Sequence, residues 1–397
     1  MVSQGLPTGT SSLNNLTKGE DDHLHFTNSV SPEYHAPGVS GYGGFQDSNY
    51  SLALCRWLLS TLIETDEHLK IGSPDLARWK ETLSAMAPFQ KDENGLRISA
   101  DKPLVMSHRH FSHLLALYPL FQLNPDQPAD HALADKSVAF WQTIGEGKAL
   151  AGYSFTGGVA IYASLGEGDH ALGMLETFFS KNRLFLPNTM YVEMDGMSPV
   201  IETPLSGASV VIDLLLQSWG GKIHPFAALP TAWADADFYH LRGQGGFLVS
   251  ARKSGRKTRW VAVESLAGEP CLLRVPDWNG PLTVAGSPIC RISPSSPGEY
   301  LLPLAKGEGM TLFPADAPVD DFRIAGLESQ KGETNAFGLK INQTTAPNRM
   351  YPERGFLNLV RPRPLIFLRV RSNHETRRGS LKVLGCKFQV EVVSLLL

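Results

Sequence analysis

The hydrophobic pattern changes period once, near Trp219, and that change limits the chain to a helical part followed by a strand part. In the run opened by Asp47-Ser-Asn-Tyr, Leu52, Cys55, Leu58, Leu59, Leu62 and Ile63 fall on one stripe. That spacing predicts an amphipathic helix to about Leu69. Ser73-Pro-Asp opens a second helix to about Met86, ended by Pro88. Further helices are expected after the run Met106-Ser-His-Arg-His-Phe-Ser-His as far as Pro119, then over 129–144, 154–165, 169–179 and 205–218. The last is apolar all round and reads as central. Beyond Trp219, short alternating runs lie between turn signals: 243–251, 259–264 and 271–275. They predict an antiparallel β domain.

The parts read as a flexible lead-in over 1–25, a helical domain over 26–219, a β domain over 220–316, and a tail over 317–397. Beyond about 340 the tail carries basic pairs such as Arg377-Arg378 and a mostly apolar end, and no element can be assigned to it. Charged residues make 19% of the 397 and hydrophobic ones 42%, a composition that can bury a core. Net charge is −3, with no clustered basic face for phosphates, so nucleic acid is not an expected partner. No apolar run reaches the roughly 20 residues of a membrane span, and no signal-peptide pattern follows Met1. Cys55, Cys271, Cys290 and Cys386 lack motif spacing. Cys55 is expected as a buried free thiol, while Cys271 and Cys290 are close enough in a strand region to pair.

Three histidines, His108, His110 and His113, share one run with Arg109, just before the apolar Leu114 to Leu117. They can cap and line a helix start, or form a site at the rim of a helical scaffold. The His-x-His-x-x-His spacing also suits a metal, but only His110 and His113 would share a helical face and no Cys or carboxylate completes a set. Glu33 lies in a Pro- and Gly-rich loop near Phe26, Tyr34, His35 and Tyr42; Ser31 and Pro32 can alternatively open a helix there. Residues 181–204 read as a long loop carrying Asn188, Tyr191, Glu193, Asp195 and Glu202, and long loops in compact domains are usually functional.

Several runs, in order, resemble glycoside hydrolase family ninety-five, the inverting α-L-fucosidases and α-L-galactosidases. They are His108-Arg-His-Phe-Ser-His-Leu114 with Ala116-Leu-Tyr-Pro119, Gly152-Tyr-Ser-Phe155, Leu165-Gly-Glu-Gly-Asp-His-Ala171, Leu215-Leu-Gln-Ser218, Ala228-Leu-Pro-Thr-Ala-Trp233 and Leu241-Arg-Gly-Gln-Gly-Gly-Phe247. The resemblance spans about 26–316. It implies an (α/α)6 barrel flanked by β domains. This chain would supply a partial (α/α)6 toroid of about seven helices, followed by a C-terminal antiparallel β-sandwich-like domain. An N-terminal β domain, the first barrel helices and a water-holding asparagine pair would precede Met1. Relatives of full length would be extracellular or periplasmic.

By the same resemblance, Ser31-Pro-Glu33 is similar to the family's general-acid loop. The family's usual Gln-Ile-Asp-Gly-Asn-Phe-Gly is replaced by Val200-Ile-Glu-Thr-Pro-Leu-Ser206, so its catalytic Asp aligns with Glu202. Inverting hydrolysis uses an acid and a base about 6.5–9.5 Å apart, with proton affinities pushed in opposite directions. Desolvation among Phe26, Tyr34 and Tyr42 is expected to keep Glu33 protonated. A helix start at Thr203-Pro204 is expected to favour Glu202 as an ionised base, unless it only caps that helix. Glu193 and Asp195 are rivals, more plausibly solvated. His108, Arg109 and His110 are expected to bind sugar hydroxyls, and Tyr153 and Tyr191 to stack on the ring. No cofactor is expected. Two alternatives stand beside this reading: a non-catalytic or inactive carbohydrate-binding fragment, and a metal-dependent hydrolase built on the three histidines.

Overall fold

Ser48 turns the chain into its longest helix. Its backbone is extended, and its side chain accepts from the Ser51 amide, satisfying one of the donors a helix start leaves open. The helix runs Asn49–Leu69 and ends where Lys70 adopts a left-handed conformation. A computed structural model describes residues 15–34, 43–181, 191–193, 198–286, 293–317, 319, 321–324 and 369–371. It divides into two compact units, 1–154 and 155–397.

In the first unit, Leu52, Cys55 and Leu59 of the long helix bury with Phe26, Trp79 and Met86. Leu58, Leu62 and Ile63 flank them half-buried, as the stripe predicts. The second helix is Leu76–Ala85, which buries Trp79, and the third is Pro128–Thr143, with Pro at its start, where no intrahelical N–H is needed. Short antiparallel pairs, Leu16–Lys18 with Leu24–Phe26 and Ser29–Val30 with Gly43–Phe45, precede the long helix.

In the second unit, Gly168–Lys181 is followed by the strand pair Tyr191–Glu193 and Ser198–Val200 and by the helix Glu202–Leu215. The helix Gly152–Ser164 spans the division between the units. Two sheets then form. The larger has the order Leu282–Gly286, Gly309–Pro314, Lys257–Ser265, Phe247–Ser254, Asp235–Gly243, Arg369–Arg371, all antiparallel. Phe247, Val249 and Ala251 bury on one face of their strand, as do Val261 and Val263 of its neighbour. The smaller has the order Ser293–Ser296, Glu299–Leu302, Cys271–Arg274, Lys222–Pro225, Leu216–Trp219.

Several expectations need correction. The described residues hold six α-helices, too few for a ring of six helical hairpins, so the (α/α)6 toroid does not describe them. The helix missing from the predicted seven is the one after the histidines. There only a 3-10 turn forms, Ser112–Leu114, followed by turns to Leu120. Pro119 supplies no amide and biases Tyr118 away from helical angles, so the apolar run is cut before it can propagate. The β domain is present, but the pairing of Lys222–Pro225 with Cys271–Arg274 is parallel. The expected 181–204 loop contains a strand pair, and the last helix starts at Glu202 rather than after it. Cys271 is a buried free thiol, its proton affinity pushed up to about 12 by burial; Cys55 is another, pushed up to about 11. Cys290 and Cys386 lie outside the described residues, as does most of the tail.

Candidate active site

Glu33 stands at the apex of a turn, with φ +52°. That left-handed conformation costs a side-chain-bearing residue about 1 kcal/mol or more and persists only where the surroundings enforce it. They do so on both sides. The hydroxyls of Ser31 and Ser112 are 2.9 Å apart. The Pro32 carbonyl accepts from His108 Nε2 at 3.1 Å. A carbonyl can only accept, so this nitrogen of His108 carries the hydrogen. Tyr34 is fully buried; its hydroxyl donates to the Pro103 carbonyl at 3.1 Å and accepts from the Val105 amide at 2.9 Å. Ser31 and Tyr34 are both 0% exposed, and the Ser31–Ser112 bond is shielded from water.

The histidine segment is held from behind. Trp141 Nε1, on the helix Pro128–Thr143, donates to the His108 carbonyl at 2.8 Å. Ser154 Oγ donates to the Arg109 carbonyl at 2.6 Å. Phe111 packs edge-on against Trp141 and stacks on Tyr153 with ring centres 5.5 Å apart. The result presents Arg109 and His110 to Glu33. Arg109 forms an ion pair with Glu33 Oε2, and His110 Nε2 lies 3.0 Å from the same oxygen. Both donors converge on Oε2, which leaves Oε1 without either.

The electrostatics reverse one expectation. The Glu33 side chain is 42% exposed, and its carboxyl is held below the usual carboxylate range, first by its hydrogen bond with His110 and then by the Arg109 charge. Burial opposes this but does not win, because the side chain keeps 42% of its surface exposed and the His110 bond, with the nearby Arg109 charge, outweighs it. Tyr42 and His35 lie outside the described residues. His108 is buried, which pushes it down to about 4 and keeps it neutral. His113 is fully buried, at about 3 for the same reason, and among the described residues neither of its ring nitrogens has a hydrogen-bond partner.

Of the residues singled out in the sequence, the fold brings Glu33, His108, Arg109 and His110 together. His108 is 6% exposed and committed to Pro32, which suits holding the turn rather than meeting a sugar. Tyr153 keeps 40% of its surface exposed, beside Phe111. Tyr191 belongs to the second unit and is 2% exposed, packed on Phe178, so its ring offers no stacking face. Glu202, also of the second unit, is exposed in the first turn of its helix. The side chains of Asn188, Glu193 and Asp195 lie outside the described residues. Among the described residues no three His, Cys, Asp or Glu side chains are arranged to hold a metal ion. Sequence reasoning missed the bracing roles of Ser112, Trp141 and Ser154 and the bond that Ser31 makes with Ser112. Their contacts join residues 33 to 81 positions apart, which no local pattern encodes.

Comparison with family models decides the class. The model of the glycosyl hydrolase family 95 catalytic domain matches residues 12–202. Those residues belong to glycosyl hydrolase family 95. The match takes in the Glu33 turn, the histidine segment and the first residue of the helix Glu202–Leu215. A family 95 catalytic domain is a glycosidase domain, and its substrate is a carbohydrate. A comparison with curated proteins finds no match for the chain.

Proposed function

We propose that the protein hydrolyses terminal α-L-fucosyl or related α-L-sugar residues from oligo- or polysaccharides, with inversion at the anomeric carbon. The observation that carries this reading is the Glu33 carboxylate, set on an enforced turn and gripped by Arg109 and His110 within the family 95 match. Glu33 serves as the acid at the leaving oxygen. Arg109, 45% exposed, has guanidinium N–H groups beyond the one on Glu33 to offer sugar hydroxyls. The exposed Tyr153 ring suits the apolar face of a sugar. Glu202 serves as the base, or orients it, by its place in the sequence and its helix-start setting.

Purified full chain is tested on an aryl α-L-fucoside and on α-L-fucosyl and α-L-galactosyl oligosaccharides, with the first-formed anomer read by proton NMR. Inversion yields the β-anomer first; initial release of the α-anomer removes the inverting mechanism. Glu33→Gln is expected to lower kcat on the oligosaccharide by about 10²–10⁴-fold. Wild-type-like turnover in that variant ends the assignment. Glu202→Gly is expected to be inactive but to form a β-glycosyl azide from an activated α-L-fucoside when azide replaces the missing base. An active Glu202→Gly variant removes Glu202 from the mechanism. A carbohydrate-binding fragment without activity would instead bind the sugar in calorimetry and release no product with any of these substrates.

A further inference from the structure

The chain reaches the Glu33 turn through the strand Ser29–Val30, and that strand is held by the residues that open the long helix. Ser48 Oγ donates to the Val30 carbonyl at 2.6 Å, and the Ser48 amide donates to Ser29 Oγ at 2.9 Å; both serines are buried. Asp47, just before, has φ +47°, a conformation that a side-chain-bearing residue keeps only where its surroundings enforce it. Its amide donates to the Phe26 carbonyl at 3.0 Å, and its Oδ1 accepts from the Phe26 amide at 2.7 Å. Its other oxygen, Oδ2, lies 2.5 Å from His25 Nδ1. The far nitrogen of the same ring, Nε2, lies 2.8 Å from Asp21 Oδ1.

A neutral imidazole carries one N–H and can donate to one carboxylate only. Its second nitrogen would then set a lone pair against the other carboxylate. A carboxylate at each nitrogen fits the imidazolium, which donates from both. The backbone makes room for this arrangement. A Cβ on Gly19 would stand 2.7 Å from His25 Cδ2 and 2.8 Å from Asp21 Oδ1, so glycine lets the hairpin close His25 onto Asp21. Among the described residues, the titratable groups facing His25 are Asp21 from the hairpin turn, Asp47 from the helix start, and His23, ring centres 6.4 Å away.

We propose that His25 is a positioning residue for the Glu33 turn: as an imidazolium it clamps the hairpin formed by Leu16–Lys18 and Leu24–Phe26 to the start of the long helix, where Asp47 and Ser48 fix the strand that leads into Glu33. Glu33 is the acid under the function proposed above, on which the inference rests to that extent; the clamp itself is a property of the fold. The bond to Asp21 first, and that to Asp47 second, raise the affinity of His25 for its proton against the opposing effect of burial. The clamp is therefore complete below the ordinary histidine value of about 6.5, and it loosens as pH rises through the folded value and one nitrogen loses its hydrogen.

Histidine carbon-13 NMR of the full chain reads the clamp without activity, with the His25 signal identified by its loss in His25→Gln. The His25 midpoint is expected above about 6.5. Asp21→Asn, at a side chain 55% exposed, should lower it by about one pH unit. Exchange protection of the Phe26 and Ser48 amides should fall as pH rises through the wild-type midpoint, while that of Leu59, within the long helix, holds. A midpoint at or below about 6.5, or Phe26 and Ser48 protection that does not follow it, overturns the inference. With an α-L-fucosyl oligosaccharide, His25→Gln should lower kcat by about three- to ten-fold and leave KM within about two-fold. Wild type and variant should converge as pH passes the wild-type midpoint, because the clamp is then lost in both. A ratio of the two kcat values that stays constant across that midpoint overturns the positioning role. Where His25→Gln does not fold, Asp21→Asn serves the same comparison: its kcat should fall below that of wild type between the two measured midpoints, and equal values there overturn the role. The expected titration and exchange in a wild-type chain that cleaves no α-L-glycoside support the clamp and overturn the proposed function instead.

Discussion

At the scale of single residues, buried polar groups divide into those that are partnered and those that are not. Asp47 is 1% exposed and carries its charge inside the first unit because it is fully engaged. It accepts from the Phe26 amide at 2.7 Å and lies 2.5 Å from His25 Nδ1. His25 also meets Asp21 at 2.8 Å, and the two carboxylates, Asp21 first, raise its affinity for a proton. Asp47→Asn puts an N–H or a neutral oxygen where a charge-assisted bond was, and is expected to cost about 1–3 kcal/mol, read as a lower urea midpoint. An unchanged midpoint would show that the charge is not needed. His113 is the opposite case, buried with no partner among the described residues for either ring nitrogen. It is neutral in the folded chain and charges on unfolding, so it lowers stability as pH falls below its ordinary value of about 6.5, by about 1.4 kcal/mol per pH unit. His113→Leu is expected to flatten that loss between about pH 6 and pH 4. A variant with the same acid slope as wild type would refute the account.

At the scale of elements, the turn 31–34 and the long helix show how loops are made rigid. Four bonds from distant parts of the first unit over-determine the Glu33 turn: Ser31–Ser112, His108–Pro32, Tyr34–Pro103 and Val105–Tyr34. Tyr34→Phe removes two of them, both part-buried, a loss of about 1–3 kcal/mol for the pair. Turnover should fall more than stability alone explains, because Glu33 is no longer held in its costly conformation. Wild-type turnover in a well-folded Tyr34→Phe would show that the turn needs no such restraint. Gly95 is the other fixed point. It has φ +113°, and an added Cβ would lie 2.4 Å from Ser137 Oγ and 2.7 Å from Ser137 Cα. The Ser137 hydroxyl also accepts from the Leu96 amide at 2.9 Å. Gly95→Ala is expected to destabilise the chain by about 1–3 kcal/mol from backbone strain and overlap together, measured by thermal unfolding.

At the scale of the whole molecule, the charges make a pH profile. Glu33, Asp21 and Glu299 hold their carboxyls below the usual range, so their contribution is present above their unfolded values and lost as pH falls through the folded ones. His108 and His113, pushed down to about 4 and about 3, add loss in the same direction below about pH 6.5. His25 is raised, so what it adds is fully present below about 6.5 and fades as pH rises through its folded value. The urea midpoint should therefore fall steeply from about pH 6 towards pH 4 and only gently on the alkaline side. A midpoint that holds steady to pH 4 would contradict these assignments. The helical period of 47–69 and 129–144, the burial of the Leu52, Cys55 and Leu59 stripe, and a change to strands near Trp219 were legible in the residues alone, because period and turn chemistry act over a few neighbours; the first of these strands in fact starts at Leu216, inside the expected last helix. So was the family, carried by short ordered motifs. What only the tertiary structure decided is the state of Glu33. Whether a carboxyl is desolvated or gripped by an arginine and a histidine depends on residues about 76 positions away, and that choice reverses its charge. The same holds for the turn at Ser112–Leu114: an apolar run is helical by period, but Pro119 and the bonds to Ser31 and Trp141 close it off before a helix can form.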